Sequence, residues 1–402
     1  MKKHFLLLAG AAVILASCGG ENKTEDAGQT QAQVDSAVNA GFVWILFFSI
    51  LLVRERRIDF ALILGLIGGV ALLAKSSSRM FLAIAALAPV LLIGEKPRSL
   101  VSKTINYWLL LGAAIFMSLI FYNVQRLSPY FHYVELKNTT FVMTLGEFLM
   151  TPFAYVHNFG YIPLYIAWES GWVIIVPAML GLILLFRKDV KLAVYLSFFL
   201  IAPYIAIGFF AKILFPRYIL FYSTLVVIFA VYYLLQIKKQ YNMIAALFAL
   251  LFSMSVLNYA LLFDPAKAFF PPVDRGQYVE GATAVWGARD LMKYLQDQAK
   301  TKPVLVLAEG DFGLAADVLK VFNYDGDNVE VKGFWPLEEA TLLEYQTELL
   351  SRDVYVVFSH REDFPPHWPI ELVEEYRKPA GNEILYLFRL RGETAVASLR
   401  AQ

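Results

Sequence analysis

The chain has 402 residues, of which 58% are hydrophobic and only 17% charged. A soluble domain carries about 25% charged and roughly 45–50% apolar residues, and here the excess of Leu, Ile, Phe and Ala falls in runs, which excludes one large globular core as its cause. The net charge of +1 excludes a general attraction for nucleic acid, and the single cysteine, Cys18, excludes an intrachain disulfide or a cysteine metal cluster.

Residues 1–18 begin with Lys2 and Lys3, pass through the apolar Phe5–Ala16 and end Leu15-Ala16-Ser17-Cys18. That layout is an export signal, and its ending resembles a bacterial lipobox, which implies lipidation at Cys18. The apolar stretch is shorter than the ~20 residues of an untilted span, which argues against an uncleaved first helix. Residues 19–40 are rich in Gln, Glu, Asp, Gly and Ser and read as a flexible polar tether.

Apolar runs follow at about 41–53, 58–74, 80–93, 105–124, 171–186, 191–211, 217–235 and 242–263. They predict a mainly α fold, a polytopic bundle of about eight transmembrane spans within residues 41–263. One alternate set of loops holds Arg54, Arg56, Arg57, Lys96, Arg98, Lys103, Arg187, Lys188, Lys191, Lys238 and Lys239. The other holds Lys75, Arg79, Arg126, Lys137, Lys212 and Arg217, so the counts are eleven against six. The positive-inside rule puts the first set in the cytoplasm. The expected location is the bacterial inner (cytoplasmic) membrane, with residues 264–402 outside the cytoplasm.

The long outer loop 125–170 is rich in aromatic residues, and Phe141–Phe153 is expected to form an interfacial amphipathic helix with Glu147 on its polar side. A lipid-interface belt and a substrate groove both fit that composition. After Asp264-Pro265 the composition becomes that of a soluble protein. Helices are expected at 282–299, 314–322 and 337–351, with strands at 303–308, 354–358 and 384–390. The alternation predicts a small C-terminal α/β domain with a parallel-type sheet. Residues 309–313 form a turn after the first strand but complete no nucleotide-loop motif. His360 and His367 lie in a Pro-rich loop and match no zinc template, so they are read as surface residues; no metal or cofactor is expected.

Lys212 and Arg217 flank a proline-broken helix start on the outer side, and Lys75 and Arg79 flank Ser76-Ser77-Ser78 in a similar turn. Such cations suit a phosphate, and they equally suit snorkelling to lipid headgroups. The stretch Lys212–Ala230, with its Pro216-Arg217-Tyr218, resembles the corresponding span of the GT-C glycosyltransferases, the polyprenyl-phosphate-sugar-dependent family that includes protein mannosyltransferases and the lipid A aminoarabinose transferase. Gly65–Ser78, Ser128–Lys137, Gly171–Pro177 and Asp274–Gly281 resemble further segments of bacterial members, and the likeness spans roughly residues 42–390.

The resemblance implies transfer of a sugar from a polyprenyl-phosphate carrier to an acceptor on the outer face of the membrane. It implies that Arg217, Lys212, Lys75 and Arg79 hold the carrier phosphate and that Asp274, Arg275 and Tyr278 line an outer cavity. The family's catalytic carboxylate in its first outer loop has no counterpart by motif. Glu135, Glu147 and Glu169 are the outer-face carboxylates left as candidates, and the chain is expected to lack the N-terminal catalytic part or to work with a partner subunit. A non-catalytic polyprenyl-phosphate-binding or cell-envelope assembly protein is the alternative.

Overall fold

The computed structural model describes residues 27–129, 131–310, 314–323 and 328–392. The export-signal segment with Cys18 lies outside the described residues. The chain is mainly helical (67%) and ends in a small mixed sheet. Contacts among the described residues divide it into a helical unit, residues 32–256, and a second unit that holds residues from Leu257 onward and also residues 27–31 at the start of the first helix.

The first helix, α1 (Ala27–Glu55), starts inside the stretch expected to be a tether and belongs to the helical unit from Ala32 onward. Ala and Gln there are good helix formers. The burial of Asp35, Val38 and Phe42 continues the buried stripe of the apolar part. Arg56, at φ 52°, turns the chain into α2 (Ile58–Ala74). Then come α3 (Arg79–Ala85), α4 (Pro97–Val124), α5 (Phe131–Phe141), α6 (Leu145–Met150), α7 (Asn158–Ser170), α8 (Trp172–Lys188), α9 (Val190–Phe210), α10 (Phe221–Leu234) and α11 (Gln240–Phe263). The division between the units falls within α11, between Val256 and Leu257.

The expectation of eight spans is corrected. Among the described residues, four helical segments are long and apolar enough to cross a membrane, Asp35–Glu55, Pro97–Leu127, Val190–Phe210 and Gln240–Phe263, and the pair α7–α8 makes a fifth if it counts as one span. The other runs are helical but too short. Lys75 ends α2 after 17 residues, and the run at 80–93 breaks after Ala85 into the 3₁₀ turn Ala88–Leu92, which contains Pro89. The run at 171–186 is one arm of a pair bent by 106° at Gly171, whose φ is +80°. The run at 217–235 begins in the 3₁₀ turn Pro216–Ile219, leaving α10 with 14 residues.

Packing in this unit relies on close backbone approach. A Cβ at Gly181 of α8 would fall 1.8 Å from the Phe229 carbonyl oxygen of α10, and one at Gly68 of α2 would fall 2.4 Å from Ser118 Oγ of α4. Small residues at such crossings are what hold helices together where lipid removes the hydrophobic drive. Phe42, Phe81, Phe199 and Phe221, from α1, α3, α9 and α10, meet at centroid distances of 5.0–5.6 Å. Each such ring pair contributes about 0.5–1.5 kcal/mol beyond its burial. The outward faces are apolar as well: Val70, Leu109, Phe116 and Val176 are all more than half exposed. A lipid-facing surface has that character.

The segment 141–153 is not one amphipathic helix. Val142 bridges Ala211 in an antiparallel pair, with Met143 N–H donating to Phe210 O at 2.8 Å and Lys212 N–H to Phe141 O at 2.9 Å. A new helix, α6, then starts at a capping box in which Thr144 and Glu147 satisfy each other's backbone N–H groups.

In the second unit, β1 (Val304–Glu309), β2 (Val329–Phe334), β3 (Asp353–Phe358), β4 (Ile370–Arg377) and β5 (Ile384–Leu390) form one sheet in the order β2-β1-β3-β5-β4. The pairs β1–β2 and β1–β3 are parallel, whereas β3–β5 and β5–β4 are antiparallel. The parallel-type expectation is therefore corrected to a mixed sheet with two further strands at its edges. Helices α12 (Ala288–Ala299) and α13 (Ala315–Phe322) cover one face, where Leu291, Leu295 and Leu319 meet Val306 and Val357. The segment expected as one helix at 337–351 is α14 (Glu339–Glu344) running into the 3₁₀ turn Tyr345–Leu350, and Leu342 from it packs on Leu305, Leu307 and Val356 of the other face. With both faces covered, all six β1 residues are buried, as parallel strands require.

Candidate functional site

The third turn of α1, where the candidate span Asp35–Glu55 starts, carries a buried acid. Asp35 is 7% exposed, and its carboxylate accepts from Lys75 Nζ at 2.7 Å. Arg217 Nε lies 3.7 Å from the same carboxylate. Three distant parts of the sequence thus converge: α1, the residue that ends α2, and the 3₁₀ turn before α10. The Tyr218 ring closes the group, with Lys75 Nζ 3.9 Å and the Arg217 guanidinium 5.4 Å from its centroid. One turn along α1, Asn39 Oδ1 accepts from the Thr224 hydroxyl at 2.8 Å. The phenylalanine cluster around Phe42 and Phe221 fixes α1 against α10 just beyond this group, which sets the spacing between Asp35 and Arg217.

Other expected residues line the same end of the helical unit. Ser76 Oγ donates to Asn138 Oδ1 at 3.2 Å, and Phe141 lies edge-on to Tyr218 at 6.2 Å. Lys212 turns to a different acid: its ammonium donates to Glu147 Oε1 at 2.7 Å and to Thr139 O at 2.8 Å. The Arg79 guanidinium lies over the Tyr122 ring at 4.4 Å. The sequence-expected cations are therefore split, with Lys75 and Arg217 sharing Asp35, Lys212 held by Glu147, and Arg79 on an aromatic face.

The three glutamates differ. The Lys212 ammonium, with the Thr144 amide and hydroxyl, holds the Glu147 carboxyl down at about 2, which makes it a weak proton acceptor. Glu169 is half-buried in the last turn of α7. Glu135 lies in α5, and its side chain is outside the described residues. Asp274, Arg275 and Tyr278 belong to the second unit. There Arg275 donates to Glu280 and to Ala266 O at 2.9 Å, and the Tyr278 carbonyl accepts from Trp286 Nε1 at 2.9 Å, so the segment folds on itself.

Two acids escaped the sequence reading. Asp35 lies in the polar stretch expected to be a tether, and its i, i+3, i+7 spacing to Val38 and Phe42 is the signal of a helix there. The other is Glu309, at the carboxyl end of β1 and 4% exposed. Its Oε2 accepts from the backbone N–H groups of Ser359, His360 and Arg361 at 3.0, 2.7 and 3.1 Å. Beside it, His360 lies edge-on to Trp335, and Arg361 donates to Glu338 at 2.6 Å. His367 Nε2 lies 3.3 Å from Glu339. Among the described residues, no three His, Cys, Asp or Glu side chains gather as a metal site. Compared with known protein families and with curated proteins, the chain matches no family model and no curated protein.

Proposed function

We propose that the Asp35 end of the helical unit binds the phosphate of a polyprenyl-phosphate-linked sugar and that the chain transfers the sugar to an acceptor on the outer face of the membrane. The observation that carries this reading is the convergence of Lys75 and Arg217 on one buried carboxylate at the end of a candidate span. A guanidinium fork and an ammonium can hold a phosphate together. Once a phosphate has drawn the two cations to itself, the carboxylate beside them is a group to which an acceptor hydroxyl can pass its proton. Asp35 would take the part for which Glu135, Glu147 and Glu169 were candidates, and the Tyr218 ring offers a flat face to lipid or sugar. The GT-C resemblance of the Pro216-Arg217-Tyr218 stretch supports the same chemistry.

One observation favours a second reading, a non-catalytic polyprenyl-phosphate binder in cell-envelope assembly: Asp35 is already engaged by Lys75. The full chain, purified in detergent, is to be given a panel of polyprenyl-phosphate sugars, with Arg217→Ala and Asp35→Asn beside the wild type. Transfer that falls at least 100-fold in both variants supports the transferase. Binding without turnover, weakened at least tenfold by Arg217→Ala, supports the binder. Phosphate-lipid binding indifferent to Arg217→Ala sinks both readings.

A further inference from the structure

A cavity of about 420 Å³ opens at the other end of α1. From Asp35 to Arg54 is 19 residues, about 29 Å along a helix at 1.5 Å per residue, or one hydrocarbon thickness. The cavity lies where the span Asp35–Glu55 ends and the span Val190–Phe210 begins, and both contribute to its wall. Its apolar side is made by Val53, Leu91 and Leu92, and its charged side by Arg54, Lys188 and Lys191 against one carboxylate, Asp189.

That carboxylate is committed, because it caps α9 by accepting from Leu192 N–H at 3.1 Å. Lys188 spends a donor on the amide oxygen of Gln236. Nearby cations are matched by acids, Arg57 by Asp59 and Lys103 by Glu95. Among the described residues no acid pairs with Arg54 or Lys191, yet both face the cavity. The α9 N-terminus adds partial positive charge on the same side. Three basic side chains from two separate turns therefore surround a space of headgroup size with an apolar flank at the level where two spans leave the hydrocarbon.

We infer that this cavity holds the phosphodiester headgroup of an anionic phospholipid, with Arg54 and Lys191 on its oxygens and the acyl chains along the apolar flank. Basic pockets between helix ends take such headgroups. The site is independent of the Asp35 group and of the function proposed for it.

The test is lipid retention by the full chain in detergent, read by native mass spectrometry after equilibration with equal phosphatidylglycerol and phosphatidylcholine. Wild type is expected to retain phosphatidylglycerol at least fivefold over phosphatidylcholine. The Arg54→Gln/Lys191→Gln variant is expected to lose that preference, while Lys238→Gln/Lys239→Gln, the same charge change outside the cavity, keeps it. Equal retention of the two lipids by wild type overturns the inference. So does an equal loss in both double variants, which reduces the effect to general surface charge. Displacement of the lipid by inorganic phosphate at millimolar concentration makes the occupant a soluble anion and overturns it as well.

Discussion

Among the described residues each unit buries one carboxylate, Asp35 at the start of a candidate span and Glu309 at the end of β1, and they satisfy it in opposite ways. Glu309 is held by three backbone N–H groups at the end of β3. Asp35 is held by two long side chains, Lys75 and Arg217, that come from other helices. These amides belong to the bend that directly follows β3 and are tethered by that strand, so Glu309 is a clasp between the end of β1 and the end of β3. Side-chain cations can exchange one anion for another, because a phosphate offers them the same or better charge-assisted bonds. A carboxylate bound by amides therefore points to architecture, and one bound by mobile cations points to a ligand.

The largest effect is expected at the clasp. Glu309→Ala leaves three amides near the end of β3 without their acceptor, at roughly 1–3 kcal/mol for each that water cannot reach. The second unit is expected to lose about 3 kcal/mol or more of stability, while Glu309→Gln, which keeps one acceptor oxygen, costs about 1 kcal/mol. Hydrogen exchange of the β1 and β3 amides in the full chain measures both. If exchange in those strands is unchanged by Glu309→Ala, the contrast between the two acids collapses.

At the other acid the expected sign is reversed for binding. Asp35→Asn removes the internal competitor for Lys75 and Arg217, so phosphate-lipid affinity is expected to rise severalfold while transfer disappears. Equilibrium binding of a polyprenyl phosphate to the detergent-purified variant checks the first half, and turnover checks the second. Weaker binding in Asp35→Asn would mean that the acid orients the cations for a ligand instead of occupying them in its absence. Lys75→Ala should weaken binding less than Arg217→Ala, because an ammonium gives a point charge where the guanidinium gives a two-pronged contact.

Legibility followed the same division. Apolar runs revealed where the helices lie, because hydropathy depends only on composition along the chain. They did not reveal which helices are cut short, since a bend at Gly171 or a 3₁₀ turn at Pro89 is decided by backbone geometry inside an apolar run. In the second unit β1, β3 and β5 were readable as buried runs. Edge strands β2 and β4 were missed because an edge needs little apolar content: β4 reads Ile-Glu-Leu-Val-Glu-Glu-Tyr-Arg and is mostly exposed. The cations Lys75, Lys212 and Arg217 stood out as charges beside apolar helices. Asp35 did not, because its polar neighbours in sequence hid a residue whose partners lie 40 and 182 positions away.

The smallest expected effect separates the Glu147–Lys212 ion pair from the group at Asp35. Glu147 and Lys212 are open to water, with 45% and 20% of their side chains exposed, so their attraction is screened and contributes little at neutral pH. What the pair does change is the pH profile. Its folded carboxyl sits at about 2, below the ~4.3 of a free glutamate, so the stabilisation is complete above about pH 4.3 and is lost as pH falls toward 2. Hydrogen exchange of the amides in α6, corrected for intrinsic rate, should therefore loosen between pH 4 and pH 2.5 in wild type. Lys212→Met removes the largest cause of the low value and should flatten that dependence while leaving lipid retention at the Arg54 cavity unchanged. An unaltered profile in Lys212→Met would show that the Thr144 capping box alone holds Glu147 charged, and Lys212 would then be available, like Arg217, for a phosphate.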